Sequence, residues 1–214
     1  MKVTLKQSTP KLEQTIVEIA RVSSSRKDKT KDYTKLLQYL IEHKHYSPFE
    51  HGTVTFEIET SKAIGIQLIR HRSFTFQEFS QRYQDVGKVS EGMFEPIELR
   101  KQADNNRQSS TEVFEPIICG SLNGASIVDE YLKRGEFLYN ELIKAGVARE
   151  QARMILPLCT KTKIYMTGTL RSWIHFLDVR DDAHAQKEIQ LIAKGIKQQL
   201  KSICPITADA LKWN

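Results

Sequence analysis

Residues 53–72 read TVTFEIETSKAIGIQLIRHR, and the change of period within them sets the fold class. Val54, Phe56 and Ile58 alternate with Thr53, Thr55, Glu57 and Glu59, the pattern of a strand with one buried face. At Ser61 the period changes, and Ala63, Ile64, Ile66, Leu68 and Ile69 follow at helical density. A serine hydroxyl is a good acceptor for the free N–H groups of a first helical turn. The stretch therefore predicts a strand running directly into a short helix, with Arg70-His71-Arg72 at or just past its C-terminal end. The helix dipole favours a cation there by about 0.3–1 kcal/mol. That accounts for one arginine but not for the whole group.

Upstream, residues 11–22 (KLEQTIVEIARV) and 32–43 (DYTKLLQYLIEH) carry apolar positions at helical spacing, separated by the polar loop SSSRKDKTK. Downstream, periodicity fades from Gln84 to about Gly124, where Gly, Pro, Asn and Ser accumulate, so a loop-rich excursion is expected. A strong helix is predicted from Ala125 to Ala145, with Ile127, Tyr131, Leu138, Leu142 and Ile143 on its apolar side and Gly146 as its stop. AREQARMILP reads as a short helix closed by Pro157, KTKIYMTGTL as an extended segment and RSWIHFLDVR as a helix. A last long helix is expected to begin near Asp181 or Asp182 and to run to Cys204-Pro205, with Ile189, Ile192, Ile196, Leu200 and Ile203 on one face. Helices dominate over a small central sheet. The expectation is an α+β, helix-rich single domain spanning 1–214, with its excursion at about 84–124.

Composition narrows the function classes. At 214 residues, 40% hydrophobic and 27% charged, the chain reads as globular. No run approaches a membrane span and MKVTLKQSTPKLEQ lacks a signal-peptide core, so a cytoplasmic location is expected, with no membrane partner. Cys119, Cys159 and Cys204 are odd in number and far apart; they read as buried thiols, with neither a disulfide framework nor a metal site. The net charge of +6 favours anionic partners, polymeric or small.

The segment RHRSFTFQEFSQRY, residues 70–83, concentrates three arginines, His71, Glu78 and Ser80. Arginine is seldom buried unless paired, and a guanidinium fork beside a hydroxyl suits phosphate oxygens. In an extended backbone Glu78, Ser80 and Arg82 would share a face, with Phe79, Gln81 and Tyr83 pointing away; a surface salt-bridge network is the plainer reading. Arg171, His175, Arg180 and His184 form a second cluster at spacings of four, five and four, lining one side of the segment if it stays helical. Arg153 sits among Met154, Ile155 and Leu156, where its charge needs an anion or a pairing with Glu150. His51, before the strand, reads equally as a capping or packing residue. The phosphate-binding GxGxxG and GxxxxGK[ST] loops, HExxH and GxSxG are absent from the sequence, so side chains must hold any anion.

The RHR triplet, seven residues, then Ser80, with Glu78 two before it and Arg82-Tyr83 two after, resembles the signature of the flavin-dependent thymidylate synthases. SPFEHGTVTFEI, QLIRHR, GVAREQARMILPL, RSWIHFL and VRDDAHAQKEIQ agree in the same order, and the resemblance weakens only from about Gln84 to Gly124. It implies an α+β homotetramer with active sites shared between subunits. It also implies reductive methylation of dUMP to dTMP, with 5,10-methylenetetrahydrofolate as carbon donor and NADPH as reductant through bound FAD. By position, Thr53, Arg70, His71, Arg72, Glu78, Thr169, Leu170, Arg171 and His175 are implied to contact the flavin. Gln67, Arg70, Glu78, Phe79, Ser80, Gln81, Arg82, Arg153 and Arg180 are implied to contact the nucleotide. Ser80 and Arg180 are the implied catalytic residues, Arg180 polarising the uracil ring. No metal and no nucleic acid are implied. Thr75 and Gln77 replace the signature's usual serine and asparagine, and Thr169-Leu170 replaces an asparagine-alanine pair. The alternative from another class is a basic nucleic-acid-binding module, against which stand the scarcity of exposed-looking aromatics interleaved with the arginines and the absence of a known nucleic-acid motif.

Overall fold

The computed structural model describes residues 1–23, 33–88 and 92–213. In chain order the elements are β1 (Lys2–Ser8), α1 (Leu12–Ala20), α2 (Thr34–Glu42), β2 (Thr53–Ser61), α3 (Lys62–Leu68) and β3 (Phe74–Glu78). Then come β4 (Arg100–Gln102), β5 (Ser110–Val113), β6 (Ile117–Ile118), β7 (Leu122–Asn123), α4 (Gly124–Lys144) and α5 (Arg149–Ala152). The chain ends with β8 (Lys161–Thr169), α6 (Leu170–Arg180), α7 (Lys187–Ile203) and α8 (Pro205–Ala210). A four-stranded sheet has the order β1-β2-β8-β3, and the expected α+β class is what the chain adopts. The strand-to-helix switch at Ser61 occurs as read, and the Ser61 hydroxyl accepts from the Ile64 N–H at 3.4 Å.

The chain forms two compact units, one of Met1, 59–68 and 78–164, the other of 2–58, 69–77 and 165–214. The core of the second is built around Trp173, fully buried. Its ring meets Phe56, Phe74 and Phe176 edge-on at centroid distances of 5.0, 4.5 and 5.6 Å, the geometry that aromatic quadrupoles favour. Its indole N–H donates to the Val54 carbonyl at 3.1 Å, so no polar group is stranded. Ile189, Ile192, Ile196 and Leu200 bury one face of α7, as the three-and-four spacing requires. In the other unit Val86, Met93, Tyr139 and Ala152 form the buried cluster, with Leu142, Ile143 and Val147 packed against it.

Three expectations need correction. First, α7 begins at Lys187 and not at Asp181 or Asp182, because both aspartates are used in the preceding turn. The Asp181 N–H closes α6 on the Leu177 carbonyl, its carboxylate pairs with Lys197, and Asp182 Oδ1 accepts from the His184 N–H. Second, α4 packs through Tyr139, Leu142 and Ile143, whereas Tyr131 and Leu138 are exposed. The helix carries more than one apolar stripe, and its own chain covers only one. Third, Cys119 is exposed and Cys159 half-buried; only Cys204 is a buried thiol. Burial, with Glu13 nearby, pushes Cys204 far above the ordinary thiol range. The loop-rich excursion expected at about 84–124 holds short pieces of structure, the two small antiparallel hairpins β4–β5 and β6–β7. Residues 24–31 of the polar loop read between the first two helices, and Asp32 at the start of the second, fall outside the described residues. Strand β1 escaped the sequence reading altogether.

Candidate active site

The sequence-read residues divide between the two units. In the unit containing 59–68 and 78–164, Glu78 ends β3 and its Oε1 accepts from Lys62 Nζ at 2.8 Å and from the buried Thr162 hydroxyl at 2.7 Å. The chain then turns, correcting the expectation that Glu78, Ser80 and Arg82 share an extended face. The Ser80 carbonyl accepts from the N–H groups of Tyr83 and Gln84, and its hydroxyl accepts from the Arg82 N–H at 3.4 Å. Serine favours such local bonds over a sheet ladder. The turn presents the exposed Arg82, whose Nη2 donates to Glu150 Oε2 at 3.0 Å. Arg153 donates from Nε to the Glu150 carbonyl at 3.4 Å, and Arg149 donates to the Tyr83 carbonyl at 3.5 Å. Of the two partners read for Arg153, an anion or the Glu150 side chain, the second is replaced by a bond to the Glu150 backbone, because the carboxylate holds Arg82. Gln67 and Phe79 are half-buried. Gln81 is buried, with its Nε2 unpartnered in this structure.

In the other unit, α6 starts at Leu170, capped by Thr169, whose Oγ1 accepts from the Ser172 N–H at 3.2 Å. The buried Leu170 donates its N–H to the Gly52 carbonyl at 2.7 Å. Arg171 and His175, one turn apart, line a pocket of about 750 Å³ together with Ser73, Thr169, Ser172 and Asp178. Arg180 does not join that face. Five residues beyond His175, it is rotated by roughly 140° about the helix axis, and its Nε donates to His71 Nε2 at 2.9 Å. His184 lies beyond α6, in the turn. Thr53, Arg70 and Arg72 are exposed, and the Thr53 N–H is held by the Thr9 hydroxyl at 2.9 Å.

The electrostatics of this unit centre on His71, whose pKa is drawn down from the usual 6.5 to about 4, by burial first and then by the positive charges of Arg180 and His175. The imidazole is therefore neutral at physiological pH. With Nε2 accepting from Arg180, its proton sits on Nδ1. Its ring packs against Phe176 at 4.9 Å and edge-on to Phe74 at 6.1 Å. Burial and then Arg70 lower the Arg180 pKa, while burial raises that of Asp178 against the opposing pull of His175.

The family of thymidylate synthase complementing proteins matches residues 4–206. A flavin-dependent thymidylate synthase from Synechocystis sp. is 41% identical over 198 residues, covering 92% of this chain and 88% of that protein. The chain belongs to the flavin-dependent thymidylate synthases. A probable flavin-dependent thymidylate synthase of Paramecium bursaria Chlorella virus 1 is 39% identical over 94% of this chain and 91% of its own length. Among solved structures, the UMP/dUMP methylase PolB from Streptomyces cacaoi bound with 5-Br dUMP aligns with a TM-score of 0.77 and 27% identity, covering 99% of this chain and 94% of that one.

Within this flavin-dependent thymidylate synthase, the structure brings together several residues that the sequence reading had kept apart or passed over. Lys62 and Thr162 meet at Glu78, Glu150 meets Arg82, and Glu50 meets Thr169 and Arg171. Glu50 and Glu150 lie inside two of the blocks that carry the resemblance, SPFEHGTVTFEI and GVAREQARMILPL, whereas Lys62 and Thr162 lie outside them. The available signal was indirect: a charged residue directly after a helix cap in the case of Lys62, and a carboxylate embedded in PFEH in the case of Glu50. Among the described residues no group of three or more His, Cys, Asp or Glu is arranged to hold a metal, and no helix is long and apolar enough to cross a membrane.

Proposed function

We propose that the chain methylates dUMP to dTMP reductively, with 5,10-methylenetetrahydrofolate as carbon donor, NADPH as reductant and FAD as its bound cofactor. The observation that carries this reading is the 41% identity to the Synechocystis enzyme over 92% of the chain. The 5-Br dUMP bound to the Streptomyces cacaoi methylase supports the nucleotide class.

The donor set fits a flavin dinucleotide. A pocket of about 750 Å³, lined by the Arg171 guanidinium and the Ser73 hydroxyl as well as by the carboxylates of Glu50 and Asp178, has the size of a small-molecule site, and its guanidinium and serine hydroxyl are donors that ribose and pyrophosphate oxygens accept from. Thr53, Arg70, His71, Arg72, Glu78, Thr169, Leu170, Arg171 and His175 would hold it, Leu170 by fixing the helix start and the others by polar contact. When bound, the flavin supplies the electron-transfer chemistry that no side chain can.

The chain's own residues bind, orient and polarise. Arg82 and Arg153 supply guanidinium donors for the nucleotide phosphate, and Ser80 shapes the turn that presents Arg82. Gln67, Arg70, Phe79 and Gln81 complete the nucleotide contacts, and Glu78 is held in place by Lys62 and Thr162. Arg180, steadied by His71, places positive charge against the uracil N3 and its carbonyl and favours the deprotonated ring, which makes its C5 more nucleophilic.

The reading extends to a cytoplasmic homotetramer with shared sites. Tyr131, Phe137 and Leu138 on α4 are 57%, 66% and 46% exposed. An apolar face of that extent favours cover by another copy. The three unpaired cysteines agree with a reducing compartment.

The test is a purified protein with visible flavin absorbance in which Arg180→Ala keeps the flavin but forms no thymidylate. A colourless protein that takes up no FAD, or near-normal turnover in the variant, would contradict the proposal.

A further inference from the structure

The second unit contains a residue to which neither the signature segment 70–83 nor the mechanism above gives a role. Glu50 sits in the short turn Ser47–His51 that precedes β2, and its two carboxylate oxygens are divided between two partners. Oε1 accepts from Arg171 Nη1 at 2.8 Å, and Oε2 accepts from the Thr169 hydroxyl at 3.0 Å. All three side chains line the same pocket. We propose that Glu50 is a positioning residue that presets the Thr169 hydroxyl and the Arg171 guanidinium for FAD; this rests on the flavin reading above.

The geometry supports this in three ways. The Thr169 O–H is committed to Glu50, so its lone pairs are directed at the Ser172 N–H that it caps; one carboxylate oxygen thereby fixes the rotamer of a helix cap. The Arg171 guanidinium is planar, with five donors. Anchoring it through Nη1 fixes the plane in which its remaining donors meet an incoming anion, so less side-chain freedom is lost on binding. The backbone on either side is also tied down: Phe49 is fully buried and Gly52 accepts from the Leu170 N–H at 2.7 Å. Glu50 therefore stands on a fixed support.

A carboxylate beside an anionic cofactor also repels it. At a site this exposed, with Glu50 and Arg171 side chains 43% and 53% accessible, water and salt screen that repulsion strongly. The two directed hydrogen bonds are not screened in the same way, so the positioning effect dominates.

The experiment is a fluorescence titration of the flavin-free protein with FAD, for the wild type, Glu50→Gln and Glu50→Ala, together with Tm of the flavin-free forms. Glu50→Ala should bind FAD about tenfold more weakly, while Glu50→Gln, which keeps an acceptor, stays within about threefold of wild type. Tm should move by no more than about 2 °C. A merely structural Glu50 would lower Tm and leave FAD affinity alone, which overturns the inference. So does FAD binding in Glu50→Ala that is as tight as wild type or tighter, or an equal loss in both variants. A wild-type protein that takes up no FAD would overturn the flavin reading and this inference together.

Discussion

His71 and Arg180 are 109 positions apart, and each appears in the sequence as one member of a basic cluster. Their partnership does not, since it depends on where α6 ends and on a ring held between Phe74 and Phe176. The cluster was therefore legible, but the division of labour within it was not. Glu50, Lys62 and Thr162 were illegible for a related reason. A carboxylate, an ammonium or a hydroxyl on a half-polar turn, helix start or strand looks like ordinary solvated surface until its partner is known. The depressed pKa of His71 has a measurable consequence. Its folded value of about 4 lies below the ordinary 6.5, so the unfolded chain takes up the proton first as pH falls. The stability that the neutral ring contributes is present above about pH 6.5 and is lost progressively toward pH 4. The raised pKa of Glu13 works with the opposite sign, but it is common to wild type and variant and cancels in their difference. Urea unfolding at several pH values should therefore show a steeper loss of stability on acidification for wild type than for His71→Gln. Parallel pH profiles would show that the imidazole is not held neutral by the fold.

At the scale of elements, the strand-to-helix switch at residues 53–72, the helices α1, α2 and α6 and the strand β8 were legible because their period or their caps are unambiguous. The start of α7 was misread because aspartates near a helix suggest an N-terminus, and here they serve the preceding turn. The packing face of α4 was misread because its apolar residues outnumber the positions that one face can hold. The hairpins β4–β5 and β6–β7 are short, and their strands are mostly exposed, so they leave no alternating pattern to read. Within β8, Gly168 shows how tightly the sheet lies on the aromatic cluster. A Cβ built there would lie 2.3 Å from Phe74 Cδ1, and Phe74 is itself wedged against Trp173 at 4.5 Å. Gly168→Ala should destabilise the protein by about 1–3 kcal/mol, the usual range for an overpacked core, in equilibrium denaturant unfolding. A change under about 0.5 kcal/mol, typical of a surface substitution, would mean that the ring moves aside without strain.

At the scale of the whole molecule, the excess of basic over acidic side chains, 32 against 26, fits a protein whose proposed ligands (FAD, a nucleotide, a folate and NADPH) are all anionic. Composition alone pointed to anions without separating small ligands from nucleic acid. The signature segment itself is divided, since residues 69–77 belong to one compact unit and Glu78 onward to the other. A linear reading cannot show that division, because residues adjacent in the chain look like one site. The exposed apolar stripe of α4 is likewise visible only once it is clear which stripe the chain's own core uses. The most direct measurement is product formation by the FAD-loaded protein supplied with dUMP, 5,10-methylenetetrahydrofolate and NADPH, with each substrate omitted in turn and the nucleotide identified by mass. Thymidylate is expected only when all three are present; no thymidylate from the complete mixture, or an undiminished yield without NADPH, would contradict the proposed reductive methylation.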